Sequence, residues 1–349
     1  MKTSILILII FLLAIAAEAF EFGGYYRNQA AHGTFRSGKV VLADLNKLRF
    51  KIDHKLTDDL LLHLEPEYIK LIQSDTIPLA ESNGLDKVLI DRAYFRYSFP
   101  AADLIVGRQR IAWGTGYVWN PTDIINPFVL TLAEEERNGV SAIRIEAPLG
   151  FAASLDAFYL LDDQRRGIRA KTNFKNYDLS ISYMTLADGP QYGADFSGEL
   201  FDLGIRGEAA YGRYGKASLG ANYTFDNGLG VNFEYYYYGP GQNCKADYDW
   251  TNYLAGNITQ LAKSYGYFSI NRMINELASY RIGVIANLVD YSYIFYPGYS
   301  YSLSQDLDLA LEALISQGDS GTENNPTVTR DPTGFLGLDL FFVKLRYSF

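Results

Sequence analysis

Apolar residues fall at every second position through the last stretch of the chain, Gly334 to Phe349, GFLGLDLFFVKLRYSF. Phe341, Val343, Leu345, Tyr347 and Phe349 share one face, and Lys344, Arg346 and Ser348 share the other. That two-residue period marks a strand with one apolar side. Similar alternation recurs from Phe20 onward and predicts strands near 20–34, 42–56, 60–73, 86–99, 103–114, 138–148, 150–161, 166–174, 177–186, 192–201, 203–211, 216–225, 230–238, 264–273, 277–288, 292–303, 307–316 and 335–349. After every even-numbered strand the turn is tight, as at Thr57-Asp58-Asp59, Lys175-Asn176 and Asp226-Asn227-Gly228. The long connections, 74–85, 115–137, 239–263 and 317–334, all follow odd-numbered strands. A soluble β-sandwich has no reason to keep that parity. A membrane barrel requires it, with short turns on one rim and long loops on the other. The expected fold is an all-β transmembrane antiparallel β-barrel of sixteen to eighteen strands, closed so that no edge is left unpaired in lipid.

The N-terminus agrees. Lys2, the apolar run Ile5 to Ala16, and Ala17-Glu18-Ala19 before Phe20 read as a secretory signal peptide over residues 1–19. The barrel is then expected over 20–349. No later stretch approaches the roughly 18 unbroken apolar residues of a spanning helix. Of the aromatic residues, 28 are Tyr and 3 are Trp, a balance that suits interfacial girdles. The net charge of -9 argues against a nucleic-acid partner. Cys244 is the only cysteine, and the three histidines, His32, His54 and His63, are scattered. No cofactor, metal site or catalytic residue is expected.

Once the strands are placed, alternation assigns their faces. In 42–56, Leu48, Phe50, Ile52, His54 and Leu56 should face lipid, with Lys47, Arg49, Lys51, Asp53 and Lys55 inside. His63, Glu65 and Glu67 on the next strand should meet that basic set, with Arg49 opposite Glu67. In the following hairpin, Arg92 and Arg96 are expected inside, and reflection across Ala101 sets Arg108 and Arg110 on the same wall. Four guanidinium groups would then crowd one face and require counter-charge from elsewhere. The connection 115–137 carries Asp123 and the run Glu134-Glu135-Glu136, with Trp119 and Phe128 as packing anchors. A loop of this length usually has a function. It is expected to fold inward as a constriction, its acidic side chains facing pore-lining Lys47, Arg49, Lys51, Arg92, Arg96, Arg108 and Arg110. A solvated external loop is the alternative.

This arrangement resembles the general bacterial porins, in which the connection after the fifth strand folds into the channel. The run GRQRIAWGTGYVWNPTDIINPF, Gly107 to Phe128, is similar to a stretch found in porin-like outer-membrane proteins. Eighteen strands would also resemble substrate-specific channels. The Pro-Glu-Phe-Gly element of many porin constriction loops is absent. The resemblance implies a cell outer-membrane location and diffusion or selective uptake of small solutes, with anions favoured by the basic first half of the barrel. It also implies contact with outer-membrane lipid and with the barrel-assembly machinery through the strand ending in Phe349, and it leaves a homo-oligomer open. The alternative function is a surface receptor, adhesin or structural outer-membrane protein acting through loops 239–263 and 317–334. A barrel enzyme would need a nucleophile beside a base, and none is indicated near His63.

Overall fold

The computed structural model describes residues 20–36, 38, 40–73, 84–125, 138–326 and 337–349. The signal peptide expected over 1–19 lies outside them. Among the described residues the strands are β1 (Phe20–Phe35), β2 (Val40–Lys55), β3 (Leu60–Gln73), β4 (Gly84–Ser98), β5 (Asp103–Gln109), β6 (Val140–Pro148), β7 (Ala153–Leu160), β8 (Arg166–Phe174), β9 (Tyr177–Leu186), β10 (Gly189–Leu200), β11 (Leu203–Tyr211), β12 (Gly215–Thr224), β13 (Leu229–Tyr238), β14 (Ser264–Met273), β15 (Ala278–Asn287), β16 (Tyr293–Ser302), β17 (Leu307–Gln317) and β18 (Leu338–Ser348). A 3-10 turn, Lys245–Asp247, and a short helix, α1 (Trp250–Leu254), lie between β13 and β14. No helix among the described residues is long and apolar enough to cross a membrane.

Each strand pairs antiparallel with its neighbours in sequence. Strand β1 also pairs with β18, from Tyr25 opposite Ser348 to Phe35 opposite Leu338, so the sheet closes on itself. The turns after even-numbered strands hold two to four residues. Two of them, Lys175-Asn176 and Phe201-Asp202, put both central residues at positive φ, the two-residue hairpin geometry whose twist matches the flanking strands. Phe341, Val343, Leu345 and Tyr347 are exposed on the outer face of β18, and Lys344 and Arg346 sit half-buried on the inner one. The alternation in the last strand therefore predicts its two faces correctly.

Closure is reinforced at the short-turn end of the seam. Gly24 and Phe349 exchange backbone hydrogen bonds of 2.9 and 3.1 Å. The Phe349 ring lies across Gly24, where an added Cβ would come within 2.9 Å of it and 2.3 Å of the Arg49 carbonyl oxygen. Phe22 and Phe50 complete an aromatic group with ring centroids 5.7–6.0 Å apart.

Strand β4 departs from simple alternation. Pro66 on β3 has no N–H to give to the ladder, and the register slips there: Glu65 pairs with Arg92, but Pro66 pairs with Ile90. The residue left over is Asp91, a β-bulge that points a second consecutive side chain inward. Val88 and Ile90 below the slip, and Phe95 and Tyr97 beyond it, remain exposed on the outer face.

Candidate pore constriction

The bulge supplies the counter-charge that the sequence pattern leaves missing. Asp91 is fully buried, and its carboxylate lies 3.0 Å from an Arg49 nitrogen while accepting a 2.9 Å hydrogen bond from the Gly139 amide. Arg49, 1% exposed, also pairs with Glu65 at 2.8 Å and with Glu67. Lys47 meets Glu67 at 3.0 Å, His63 joins Asp53 (2.7 Å) to Glu65 (3.0 Å), and Arg92 reaches Glu65 at 3.3 Å. The chain of charge continues around the wall. Arg96 lies 3.8 Å from Asp103 and 3.5 Å from Glu146, and Arg144 meets both Glu146 and Asp156 at 2.7 Å. Lys51 is exposed at the lower end of this face.

Two of the expected wall residues are elsewhere. The β4–β5 turn has Pro100 and Ala101 at its tip, with Ser98 opposite Asp103 and the Phe99 amide bonded to the Ala102 carbonyl. The hairpin axis falls between Pro100 and Ala101, not on Ala101, and a one-residue difference of register inverts every face of a strand. Ile105 and Gln109 are therefore the buried inward residues of β5, while Arg108 shares the side of Leu104 and exposed Val106. Its Nε donates back to the Asp91 carbonyl oxygen at 3.1 Å. Arg110 is exposed beyond the end of β5. The four-arginine ladder does not form. Arg92 and Arg96 pair with carboxylates of the wall. Glu134, Glu135 and Glu136 lie outside the described residues.

Beyond Gln109 the chain turns inside the barrel. Strand β5 ends two positions earlier than Ile111, and the residues that follow pack on the inner surface of β6 to β14, far around the ring from their exit. Trp113 donates to Asp156 on β7 at 2.8 Å, and it packs with Ile111 and Ile125 against Ala142, Phe158 and Met184. Further on, Glu208 of β11 accepts hydrogen bonds from the amides of Thr115 (2.9 Å), Gly116 (3.4 Å) and Thr122, and from the Thr122 hydroxyl (2.7 Å). Glu234 of β13 accepts from the amides of Tyr117, Val118 (3.1 Å) and Trp119 (2.8 Å). Trp119 stacks on Tyr236 at 5.2 Å with an angle of 7° between the rings. The loop is thus held by its backbone, through two carboxylates of the wall.

Gly114 makes that approach feasible. It adopts φ +101°, and a Cβ there would stand 2.7 Å from a Glu208 carboxylate oxygen. Alternation along β11 and β13 sets Glu208 and Glu234 on the inner face. A usable signal was present: across the strands Glu208 faces Asp195 and Ser218, and Glu234 faces Gly220 and Tyr267. Buried acids with no cation directly opposite need donors from elsewhere, and loop amides are the available ones.

Two partly exposed guanidinium groups stand near the clamp. Glu208 and Glu234 are 3% and 1% exposed. Arg206, the next inward residue before Glu208, is half-buried with its guanidinium 5.3 Å from the Tyr117 ring centre. Tyr117 stacks on Tyr267 at 5.6 Å. On β15 the Arg281 side chain is 36% exposed, lies over the Tyr296 ring and stands 3.6 Å from Glu312.

No protein-family model matches the chain, and no curated protein matches it. Solved structures do. Acinetobacter baumannii OccAB1 superposes with a TM-score of 0.62 at 10% identity, covering 95% of this chain and 96% of that one. A variant of OccD1 (OprD) gives 0.62 at 11% identity, covering 95% and 97%. A variant of the Rh. blastica porin gives 0.51 at 12% identity, covering 95% and all of that chain. At such identities the likeness is one of fold, and the fold is that of the outer-membrane porins: a closed antiparallel β-barrel, here with eighteen strands among the described residues.

Proposed function

We propose that this protein is an outer-membrane channel for small solutes, narrowed by the loop beyond β5 and favouring anions. The observation that carries the reading is the clamp. Glu208 and Glu234 are covered by loop amides, whereas Arg206 and Arg281 stay partly exposed beside them. A loop that hides acids and leaves guanidinium groups in reach of water gives the passage a positive field, and fixed charge at a narrow point sets ion selectivity. The porin fold and the exposed apolar outer face support the membrane location. The receptor reading draws less support, because the 239–263 loop packs through Leu261 and Tyr248 into the same aromatic group as Trp119.

The test is the current through the purified protein in a planar bilayer under a salt gradient. Discrete conductance steps with a reversal potential displaced toward chloride are expected. Arg206→Gln with Arg281→Gln should move the reversal potential toward cations, whereas Arg108→Gln with Arg110→Gln should leave it nearly unchanged. Absence of conductance would refute the channel. Equal reversal potentials in the wild type and in the Arg206/Arg281 pair would refute the anion preference alone.

A further inference from the structure

We infer that Glu323 is a proton-operated latch that fastens the external loops of the barrel down over the inward loop. This inference rests on the packing of the loops and does not depend on the channel reading. Glu323 lies in the connection after β17 and is the meeting point of three segments that are distant in sequence. Its carboxylate accepts hydrogen bonds from the Tyr265 hydroxyl (2.8 and 3.0 Å), from Asn287 Nδ2 (2.7 Å) and from the Leu261 amide (3.2 Å). Its own amide donates to the Asp290 carboxylate at 2.8 Å. Asn287 also donates to the Tyr248 hydroxyl at 2.8 Å, and Asn324 donates to Ser292 Oγ at 3.0 Å. One residue thereby joins the 239–263 loop and the end of β15 through its side chain, and the 288–292 turn through its backbone amide.

The charges around it make this junction sensitive to protons. The titratable groups that face Glu323 are Tyr265 of β14, Tyr248 of the 239–263 loop and Asp290 of the β15–β16 turn. No ion pair links Glu323 to a Lys, Arg or His among the described residues. A buried carboxylate beside another acid and without a cation favours its protonated form. Burial, with Asp290 adding to it against the opposing hydrogen bonds, pushes the Glu323 carboxyl from 4.5 up to about 7. Between those values the fastened form keeps a proton that the released form gives up. Fastening is therefore complete below pH 4.5 and weakens as pH rises through about 7. The release equilibrium should grow about tenfold per pH unit across that window, or about 300-fold in all.

The latch bears on the constriction through Tyr265. Its ring centre is 6.0 Å from that of Trp119, and both belong to one buried group with Tyr236, Tyr238, Tyr248, Leu261 and Tyr267. Lifting the external loops would remove one side of the pocket that holds Trp119, and with it part of the seat of the inward loop.

Hydrogen exchange on the full-length refolded protein tests this directly, read at the Leu261 amide between pH 5 and pH 7 after correction for the intrinsic base dependence. The corrected opening should rise about fortyfold in the wild type and stay flat in Glu323→Gln, which cannot ionise. Asp290→Asn removes the neighbouring charge and should shift the rise to lower pH. A flat wild-type profile, or a rise retained in Glu323→Gln, would overturn the latch. If Glu323→Gln fails to fold, Asp290→Asn decides, and an unshifted profile in that variant overturns the inference.

Discussion

Removing one carboxylate should set the inward loop loose. Glu234 is 1% exposed and takes three amide hydrogen bonds from Tyr117, Val118 and Trp119. A hydrogen bond to a charged group contributes a net of about 1.5–3 kcal/mol. Three of them would reach roughly 4–9 kcal/mol if the site stayed dry after truncation. Water from the lumen will reach the stranded amides in Glu234→Ala, and Glu208 and the Trp119–Tyr236 stack remain, so a loss of about 3 kcal/mol is the reasonable figure. That corresponds to about a hundredfold in the population of the displaced loop. Glu234→Gln keeps the shape and one carbonyl oxygen, so it should fall between the alanine variant and the wild type. Single-channel recording should show larger or noisier open currents in the order alanine, glutamine, wild type. Emission from Trp119 should shift to the red in the same order as the indole leaves its buried seat. An alanine variant with wild-type current, noise and emission would refute the clamp.

Two further predictions concern the wall and the seam. Asp91→Ala would leave Arg49 and the Gly139 amide short of a buried partner, a loss of about 3–5 kcal/mol that heat-modifiable gel migration should register as a lower melting temperature, whereas the exposed Asp86→Ala should melt as the wild type does. Gly24→Val forces a branched side chain against Phe349 and the Arg49 carbonyl, and should reduce the yield of heat-resistant barrel far more than Gly215→Val, where nothing lies nearer an added Cβ than 3.8 Å.

The strands and their turn parity were legible because each rests on a local pattern. Phe341, Val343, Leu345 and Tyr347 declare the outer face of β18 by alternation alone. Faces fail where alternation is broken by a single residue. Arg108 was misplaced because a hairpin axis between Pro100 and Ala101 cannot be told by composition from one centred on Ala101, and the two give opposite faces. Asp91 was overlooked because it matters only after Pro66 has shifted the register on the neighbouring strand, a long-range effect of a missing N–H. The length and aromatics of 115–137 pointed to an inward loop and left an external one open; of that stretch, residues 115–125 are described, and they lie against the inner wall. What holds it was not, since amide donors leave no signature in a sequence and Glu208 and Glu234 read as ordinary lumen charges.

The seam between β1 and β18 has a consequence for how the chain reaches its final state. Tyr25 and Ser348 are about 320 residues apart, so the contact that seals the cylinder has nearly the largest sequence separation the chain allows. Every hairpin can form from neighbouring strands, but the two ends cannot meet until the last residues have been delivered. Closure must then be a late event, with the loop-closure entropy of the whole chain already met by the intervening strands. Until that moment two rows of peptide groups stand open to any other strand. The Phe349 ring lying over Gly24 favours the correct mate at the moment when a wrong one would be hardest to undo.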